Sequence, residues 1–398
     1  MRLGYEGSAY MEPTTGVGQY VRALWHEFLH GVPGVEPVML LPGPRAALPE
    51  MPAGEVIVEE PPRRFASGKA RKLWWEQVGL PRAVRRSGVE LVHIPYHSAP
   101  LLRDRPYVVT IHDLVPLAYP VYMNSRQMRL YYRLACAIAP RADLILTDSN
   151  HSAADIQRHL GVPSDRIRAI PLAADERYRA LPSDDPRVAA VRERFGLAGP
   201  IIFNIAGLDV RKNQTALIRA FGLAREQLPA GTRLVIAGAA HSGHPDRYPP
   251  LAPVAAAAGV GEWTVFTGRI SDDEKLALLN AADLYVDPSL YEGFGISPLE
   301  AMRCGTPVIA ADRSSLPEVV GEGGLLVEPT PEMLAAALVS TLQSPRELAA
   351  LRRRALVQAG RFSWAQTARE TAAAYAEVVT KARLAARKRR DEKTRGDD

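Results

Sequence analysis

The chain has little cysteine: Cys136 and Cys304 are the only two in 398 residues. That excludes a cysteine-based zinc cluster and suits a reducing compartment, with both side chains read as small core residues. No apolar run reaches the roughly 18 residues that a membrane-spanning helix needs. The opening Met1-Arg2-Leu3-Gly4-Tyr5-Glu6 has no hydrophobic signal core either, so a cytoplasmic protein is expected. The dinucleotide fingerprint is incomplete: after Gly16-Val17-Gly18 the third glycine position holds Val21, which argues against a dinucleotide oxidoreductase. Charge of one sign is not in large excess, with 49 Lys and Arg against 44 Asp and Glu. The basic residues gather in Lys381 to Arg395, centred on Arg387-Lys388-Arg389-Arg390, and in Arg63 to Arg86, which holds Trp74 and Trp75. Such runs are usually solvated helix faces or disordered ends. No nucleic-acid partner is expected, while peripheral contact with an anionic membrane stays open.

What is present is enough chain for two domains, 47% of it apolar. The stretch Leu284 to Pro307 reads as a strand end at Leu284 to Asp287, a loop punctuated by glycine and proline, and a helix start at Ser297. A strand end, a glycine loop and a helix N-terminus form an anion-binding corner. Two carboxylates flank Gly293-Phe294-Gly295 in that corner, Glu292 and Glu300. Two readings compete for Glu300: Ser297-Pro298-Leu299-Glu300 is a capping box with proline at the first helical position, or Glu300 serves a ligand. Glu292 has no capping task. A carboxylate repels phosphate but accepts well from paired hydroxyls, so both glutamates suit a ligand with a central diphosphate and hydroxylated rings at each end.

The segment from Glu292-Gly293-Phe294-Gly295 to Glu300-Ala301-Met302, continuing through Cys304-Gly305-Thr306-Pro307, Leu316-Pro317-Glu318-Val319 and Gly324-Leu325-Leu326-Val327, resembles the E-x7-E signature of glycosyltransferase family 4. The resemblance implies the GT-B fold, an α/β architecture of two Rossmann-like, doubly wound parallel-sheet domains facing across a cleft. It implies that Glu300 binds donor ribose hydroxyls, that Glu292 lies at the transferred sugar, and that backbone groups around Phe294 and Gly295 bind the sugar's hydroxyls.

In the first half, short apolar runs alternate with helical patterns: Arg2 to Tyr5, Val38 to Leu41, Glu90 to Ile94, Tyr107 to Ile111 and Asp143 to Thr147 read as strands. Functional residues of such sheets gather at the carboxyl ends of strands, which picks out His112-Asp113 and Asp148-Ser149. A histidine there is often a satisfied structural residue. The resemblance implies instead that His112 lies near the transferred sugar, hydrogen-bonding a hydroxyl near C6 or shielding developing positive charge, with Asp113 orienting its ring. It also implies that Gly16 and Gly18 face the donor diphosphate, with Gly16, Tyr20 and Asp113 on the acceptor side.

In the second half, strands are read at Pro200 to Ile205, Arg233 to Ala237, Trp263 to Thr267, Leu284 to Asp287, Val308 to Ala310 and Leu325 to Val327. Ser271-Asp272-Asp273-Glu274 reads as a capping box without functional meaning. The loop Gly207-Leu208-Asp209-Val210-Arg211-Lys212-Asn213 brings two adjacent cations to a helix start. A helix N-terminus supplies only about half a positive charge and disfavours cations unless an anion is bound. The resemblance implies that Arg211 and Lys212 bind the donor phosphates, beside Gly207, without the further arginine some relatives carry where Ala206 stands.

The expected organisation is an acceptor-binding domain over residues 1–180, a nucleotide-sugar-binding domain over 181–362, a helix over 363–385 returning to the first domain, and a disordered basic tail over 386–398. The expected activity is a retaining hexosyl transfer from a nucleotide-diphosphate sugar, GDP-mannose first and UDP-glucose types next, to a saccharide or lipid-linked acceptor. The resemblance to bacterial mannosyltransferases of surface polysaccharide synthesis suggests the mannose. No cofactor and no metal are expected, since Asp-x-Asp occurs nowhere, which also argues against the GT-A fold. The rivals are a GT-B nucleotide-sugar epimerase or phosphorylase, and a non-catalytic nucleotide-sugar binder.

Overall fold

The structure is a computed structural model that describes residues 1–12, 15–43, 51–65, 68–123, 125–239 and 244–396; the side chains of residues 64, 69 and 393–396 are outside the description. The chain forms two units, one of Met1–Leu114, Met123–Leu172 and Trp364–Asp398, the other of Val115–Tyr122 and Ala173–Ser363.

The first unit holds seven strands: β1 (Arg2–Glu6), β2 (Glu36–Pro42), β3 (Glu55–Glu59), β4 (Leu91–Ile94), β5 (Tyr107–Thr110), β6 (Leu144–Thr147) and β7 (Ile167–Ala169). All pairings are parallel, in the order β3-β2-β1-β4-β5-β6-β7. The strand order reverses between β1 and β4, the switch point at which doubly wound sheets bind ligands. Strands β4, β5 and β6 are buried along their whole length, as a parallel sheet covered on both faces requires. Helix Gly16–His30 places Tyr20, Val21, Leu24, Trp25 and Phe28 in the core, the spacing of one apolar stripe.

The second unit holds β8 (Ile201–Ile205), β9 (Arg233–Ala237), β10 (Thr264–Gly268), β11 (Leu284–Asp287), β12 (Val308–Ala311) and β13 (Leu325–Val327), again all parallel, in the order β10-β9-β8-β11-β12-β13. Its switch point lies between β8 and β11. Helices Gln214–Ala224 and Pro331–Leu342 pack together over one face, burying Leu217, Ile218, Phe221, Leu334 and Leu338 completely. Each such side chain contributes about 1.5–3 kcal/mol on leaving water.

Four features depart from the sequence reading. Strands β3 and β7 were not anticipated: both are sheet edges, β3 has no fully buried residue and only the short apolar run Val56-Ile57-Val58, and β7 has three residues. The chain leaves the first unit at Leu172, ahead of residue 180. Residues after Ala173 are held by the second unit, with Leu181 N donating to Asn280 Oδ1 at 2.8 Å and Arg303 Nε to Tyr178 O at 3.2 Å. Val115–Tyr122 also groups with the second unit although its neighbours on both sides belong to the first. Finally, helix Trp364–Gly396 runs straight through the basic tail where disorder was expected. Alanine, arginine, lysine and glutamate dominate there and no glycine or proline occurs before Gly396, so nothing local ends the helix. No described helix is long and apolar enough to cross a membrane.

Candidate functional site

The loops after β8 and β11 meet at the second unit's switch point. After β8, Asp209 caps the single turn Val210–Lys212, its carboxylate accepting from Arg211 N at 3.2 Å. Asn213 then takes the left-handed conformation, φ 54°, which asparagine tolerates. Its amide nitrogen donates to Pro288 O and Pro329 O at 3.2 and 3.1 Å. That anchor turns Arg211 and Lys212 toward the β11 loop.

Both cations converge on Glu292. Arg211 Nη1 donates to Glu292 Oε2 at 2.9 Å and to Tyr291 O at 2.7 Å, and the Lys212 ammonium pairs with Glu292 Oε1. Burial would raise the pKa of Glu292, but Lys212 and then Arg211 outweigh it and hold the carboxyl well below its usual range. Arg211 Nε is buried without a hydrogen bond; Asp209 Oδ1 is 3.7 Å away. The Tyr122 hydroxyl donates to the same Asp209 oxygen, and the Arg247 guanidinium lies over the Tyr122 ring at 4.3 Å.

The loop of Gly293, Phe294 and Gly295 is fixed from behind. Ser314 Oγ accepts from Glu292 N at 2.9 Å, and Ser315 Oγ donates to Glu292 O and Phe294 O at 3.0 and 2.7 Å. Gly295 has φ 115°, and a Cβ there would stand 2.9 Å from Leu316 Cδ2, so glycine is required for both conformation and space. The Phe294 ring is buried edge-on against Phe362. Gly207, in the β8 loop, gives its carbonyl to Gln214 Nε2 at 3.2 Å.

The capping-box reading of Glu300 is not what the structure contains. Helix Ile296–Arg303 begins two residues earlier than the sequence suggested, with Gly295 as its cap and no side-chain cap bond. Glu300 is 1% exposed, and its Oε2 lies 2.6 Å from Lys275 Nζ. Burial raises its pKa, opposed by Lys275. Lys275 follows the capping box of Ser271 and Glu274, which is formed as expected, with Ser271 N donating to Glu274 Oε2 at 2.8 Å. Lys275 carried no sequence signal, because its partner is 25 residues away on another helix. Glu292 and Glu300 therefore have separate cations, although burial first and then charges that include both of them raise the pKa of Tyr285.

In the first unit, His112 and Asp148 come together at the ends of β5 and β6. His112 Nδ1 donates to Asp148 Oδ2 at 2.8 Å, so Asp148, not Asp113, orients the ring. The sequence had marked Asp148 by its position after a strand without giving it a task. Burial works to lower the pKa of His112, but the Asp148 charge and hydrogen bond, with Asp113 and the Pro95 backbone, leave it raised. His112 Nε2 is buried and has no hydrogen bond.

Tyr20, expected on the acceptor side, is buried beneath this histidine, its ring edge-on at 4.8 Å. Its hydroxyl meets Thr110 Oγ1 at 3.1 Å, which also contacts His93 Nε2 at 2.7 Å; His93 Nδ1 in turn meets Tyr375 Oη at 2.6 Å. Burial drives the pKa of His93 down to about 3. Gly18 also has a different task from the expected one. Thr15 Oγ1 takes its N–H at 3.0 Å, and a Cβ at Gly18 would lie 1.9 Å from Glu12 O, so the residue is a packing glycine. Gly16 opens helix Gly16–His30 in free space. Among the described residues, no three His, Cys, Asp or Glu side chains are grouped to hold a metal ion.

Residues 14–178 match the family described as Glycosyltransferase Family 4, and residues 191–360 match Glycosyl transferases group 1. The serotype-specific mannosyltransferase WbdA of Escherichia coli is 31% identical over 294 residues, covering 70% of this chain but 36% of that relative. The O-antigen chain mannosyltransferase B of Escherichia coli is 33% identical over 294 residues, covering 72% of this chain and 74% of that one. Among solved structures, sucrose-phosphate synthase from Thermosynechococcus elongatus superposes with a TM-score of 0.74 at 22% identity, covering 96% of this chain and 99% of that one. Anabaena HepE in complex with UDP and glucose gives 0.69 at 21%, covering 94% and 99%. With two doubly wound parallel sheets of GT-B type and both family domains in order along the sequence, the chain belongs to glycosyltransferase family 4.

Proposed function

We propose that this protein transfers a hexose from a nucleotide-diphosphate sugar to a hydroxyl of a saccharide or lipid-linked acceptor, retaining the anomeric configuration and using no metal. The observation that carries the reading is the convergence of Arg211, Lys212 and Glu292 at the switch point of the second sheet. Two fixed cations suit a leaving diphosphate, whose developing charge is the main quantity to be stabilised. With those cations in place a metal has no necessary task. The leaving phosphate accepts the acceptor's proton, so no carboxylate nucleophile is required. His112, held by Asp148 with Nε2 free, serves a sugar hydroxyl or the developing positive charge.

Mannose is the first choice of sugar because mannosyltransferases recur among the relatives, and GDP the first choice of carrier; the UDP complex of a fold relative keeps UDP-glucose types next. A lipid-linked acceptor would bring the protein to a membrane. Helix Arg126–Ile138 exposes Met128, Leu130 and Leu134 among Arg126, Arg129 and Arg133, and no acidic residue occurs between Asp113 and Asp143. That combination fits an anionic bilayer surface.

Thermal-shift measurement against a panel of sugar nucleotides identifies the donor, and product analysis then tests the reaction. Free nucleoside diphosphate released only with acceptor, and undiminished by EDTA, is the expected result. An altered sugar nucleotide formed without acceptor would make the protein an epimerase.

A further inference from the structure

The cations expected to hold a diphosphate are already occupied. Each oxygen of Glu292 engages one of them, and the carboxylate is 9% exposed, so it cannot leave for solvent without stranding two charges. Breaking a buried pair of this kind is strongly unfavourable unless another anion takes the carboxylate's place. The site also keeps one unspent donor, Arg211 Nε, buried and without a hydrogen bond. Asp209 is engaged by the Tyr122 hydroxyl and by Arg211 N, and Asp287, whose charge acts on Lys212 and Glu292, accepts from Ser289 N and Oγ, so neither is free to substitute. A diphosphate has enough oxygens to take over both of Glu292's contacts and to meet Arg211 Nε as well.

We propose that Glu292 is a built-in stand-in for the donor diphosphate, and that the diphosphate's arrival displaces it toward the transferred sugar, making Glu292 the residue that selects ligands carrying both groups over either alone. This rests on the reading that the site receives a nucleotide-diphosphate sugar. A diphosphate without sugar exchanges one anion for another and leaves Glu292 buried without a cation. A sugar without diphosphate meets a carboxylate still clamped by Arg211 and Lys212. Only the complete donor supplies the cations with phosphates and the carboxylate with hydroxyls, so the two halves of the ligand bind cooperatively through one side chain.

The consequence runs against the usual expectation for a binding-site carboxylate. Glu292→Gln keeps the length and shape of the side chain but removes the competing charge. Because an internal competitor lowers apparent affinity by the fraction of sites it leaves open, the full-length variant should bind inorganic pyrophosphate about tenfold more tightly than wild type by isothermal titration calorimetry. Hexose transfer should fall by about 10²-fold or more. Glu292→Asp, too short to reach both cations, should also bind pyrophosphate more tightly, by a smaller factor, which covers failure of the first variant to fold. Equal or weaker pyrophosphate binding in the folded variants overturns the proposal. Pyrophosphate has neither base nor sugar, so this result is independent of donor identity. Absence of transfer from any sugar nucleotide by wild type would instead overturn the functional reading.

Discussion

The pair formed by Lys275 and Glu300 offers the clearest quantitative test, because one partner is fully buried and the other is 15% exposed at its side chain. At 2.6 Å the Coulomb attraction is about 6 kcal/mol for an effective dielectric of 20. Desolvation of both ions consumes much of that, but removing one ion alone leaves the other stranded at a cost of about 3–5 kcal/mol. Lys275→Met should therefore destabilise the second unit by about 3 kcal/mol, the lower end of that range because the ammonium keeps some solvent. For a unit of this size that is a fall in Tm of about 6–12 °C. The double variant Lys275→Met with Glu300→Gln removes both charges and should recover much of the loss. Calorimetric or urea unfolding of the two single variants and the double completes the cycle. A Lys275→Met protein as stable as wild type, or a double variant no better than Lys275→Met alone, would refute the buried-pair argument. Glu300→Gln by itself strands Lys275 and not a carboxylate, and because that ammonium is 15% exposed it should lower Tm less than Lys275→Met does, while weakening nucleotide binding.

Lys212→Ala should reduce turnover by about 10²-fold with an unchanged circular dichroism spectrum, and near wild-type rates would remove it from the phosphate role. Asp148→Asn should lower the pKa of His112, followed by the imidazole proton shifts. Because that pKa is raised in the folded protein, the contribution of the His112 charge to stability is present below about pH 6.5 and disappears as pH rises through the folded value, so the stability gap between wild type and variant should narrow in that direction. Gly18→Ala should cost about 1–3 kcal/mol by urea titration, because the new methyl would stand 1.9 Å from the Glu12 carbonyl oxygen and 2.9 Å from that of Ala9. Leu130→Glu, at a side chain 70% exposed, should abolish sedimentation with vesicles rich in phosphatidylserine while leaving Tm unchanged; undiminished sedimentation would move membrane contact elsewhere.

The local chemistry of the site was legible because it is written in contiguous residues. Arg211-Lys212 at a helix start and Glu292 in a glycine loop have no explanation within their own segments, although each proves to be the other's partner, and strand-end position alone marked His112 and Asp148. What misled was any feature with two local solutions. Ser297-Pro298-Leu299-Glu300 satisfies the rules of a capping box, yet Gly295 caps the helix two residues earlier because only glycine accepts that backbone angle against Leu316. Gly16-Val17-Gly18 looks like a phosphate loop, yet Thr15 takes the Gly18 amide. The edge strands escaped because their apolar runs are short, Val56-Ile57-Val58 in β3 and one isoleucine with one alanine in β7, and a run that short does not by itself announce a strand.

Taken alone, the amino-acid order determined two alternating α/β halves and the strand-end residues that are candidates for function. Those are consequences of short-range periodicity and of charged residues placed at loop and helix starts. Tertiary structure decided the partners: Glu292 with both cations, Glu300 with Lys275, His112 with Asp148, Tyr20 under the histidine. Residues 25 to 92 apart in sequence become neighbours only when the parallel sheets and their helices assemble, and no local propensity encodes which of several carboxylates a buried cation will find there.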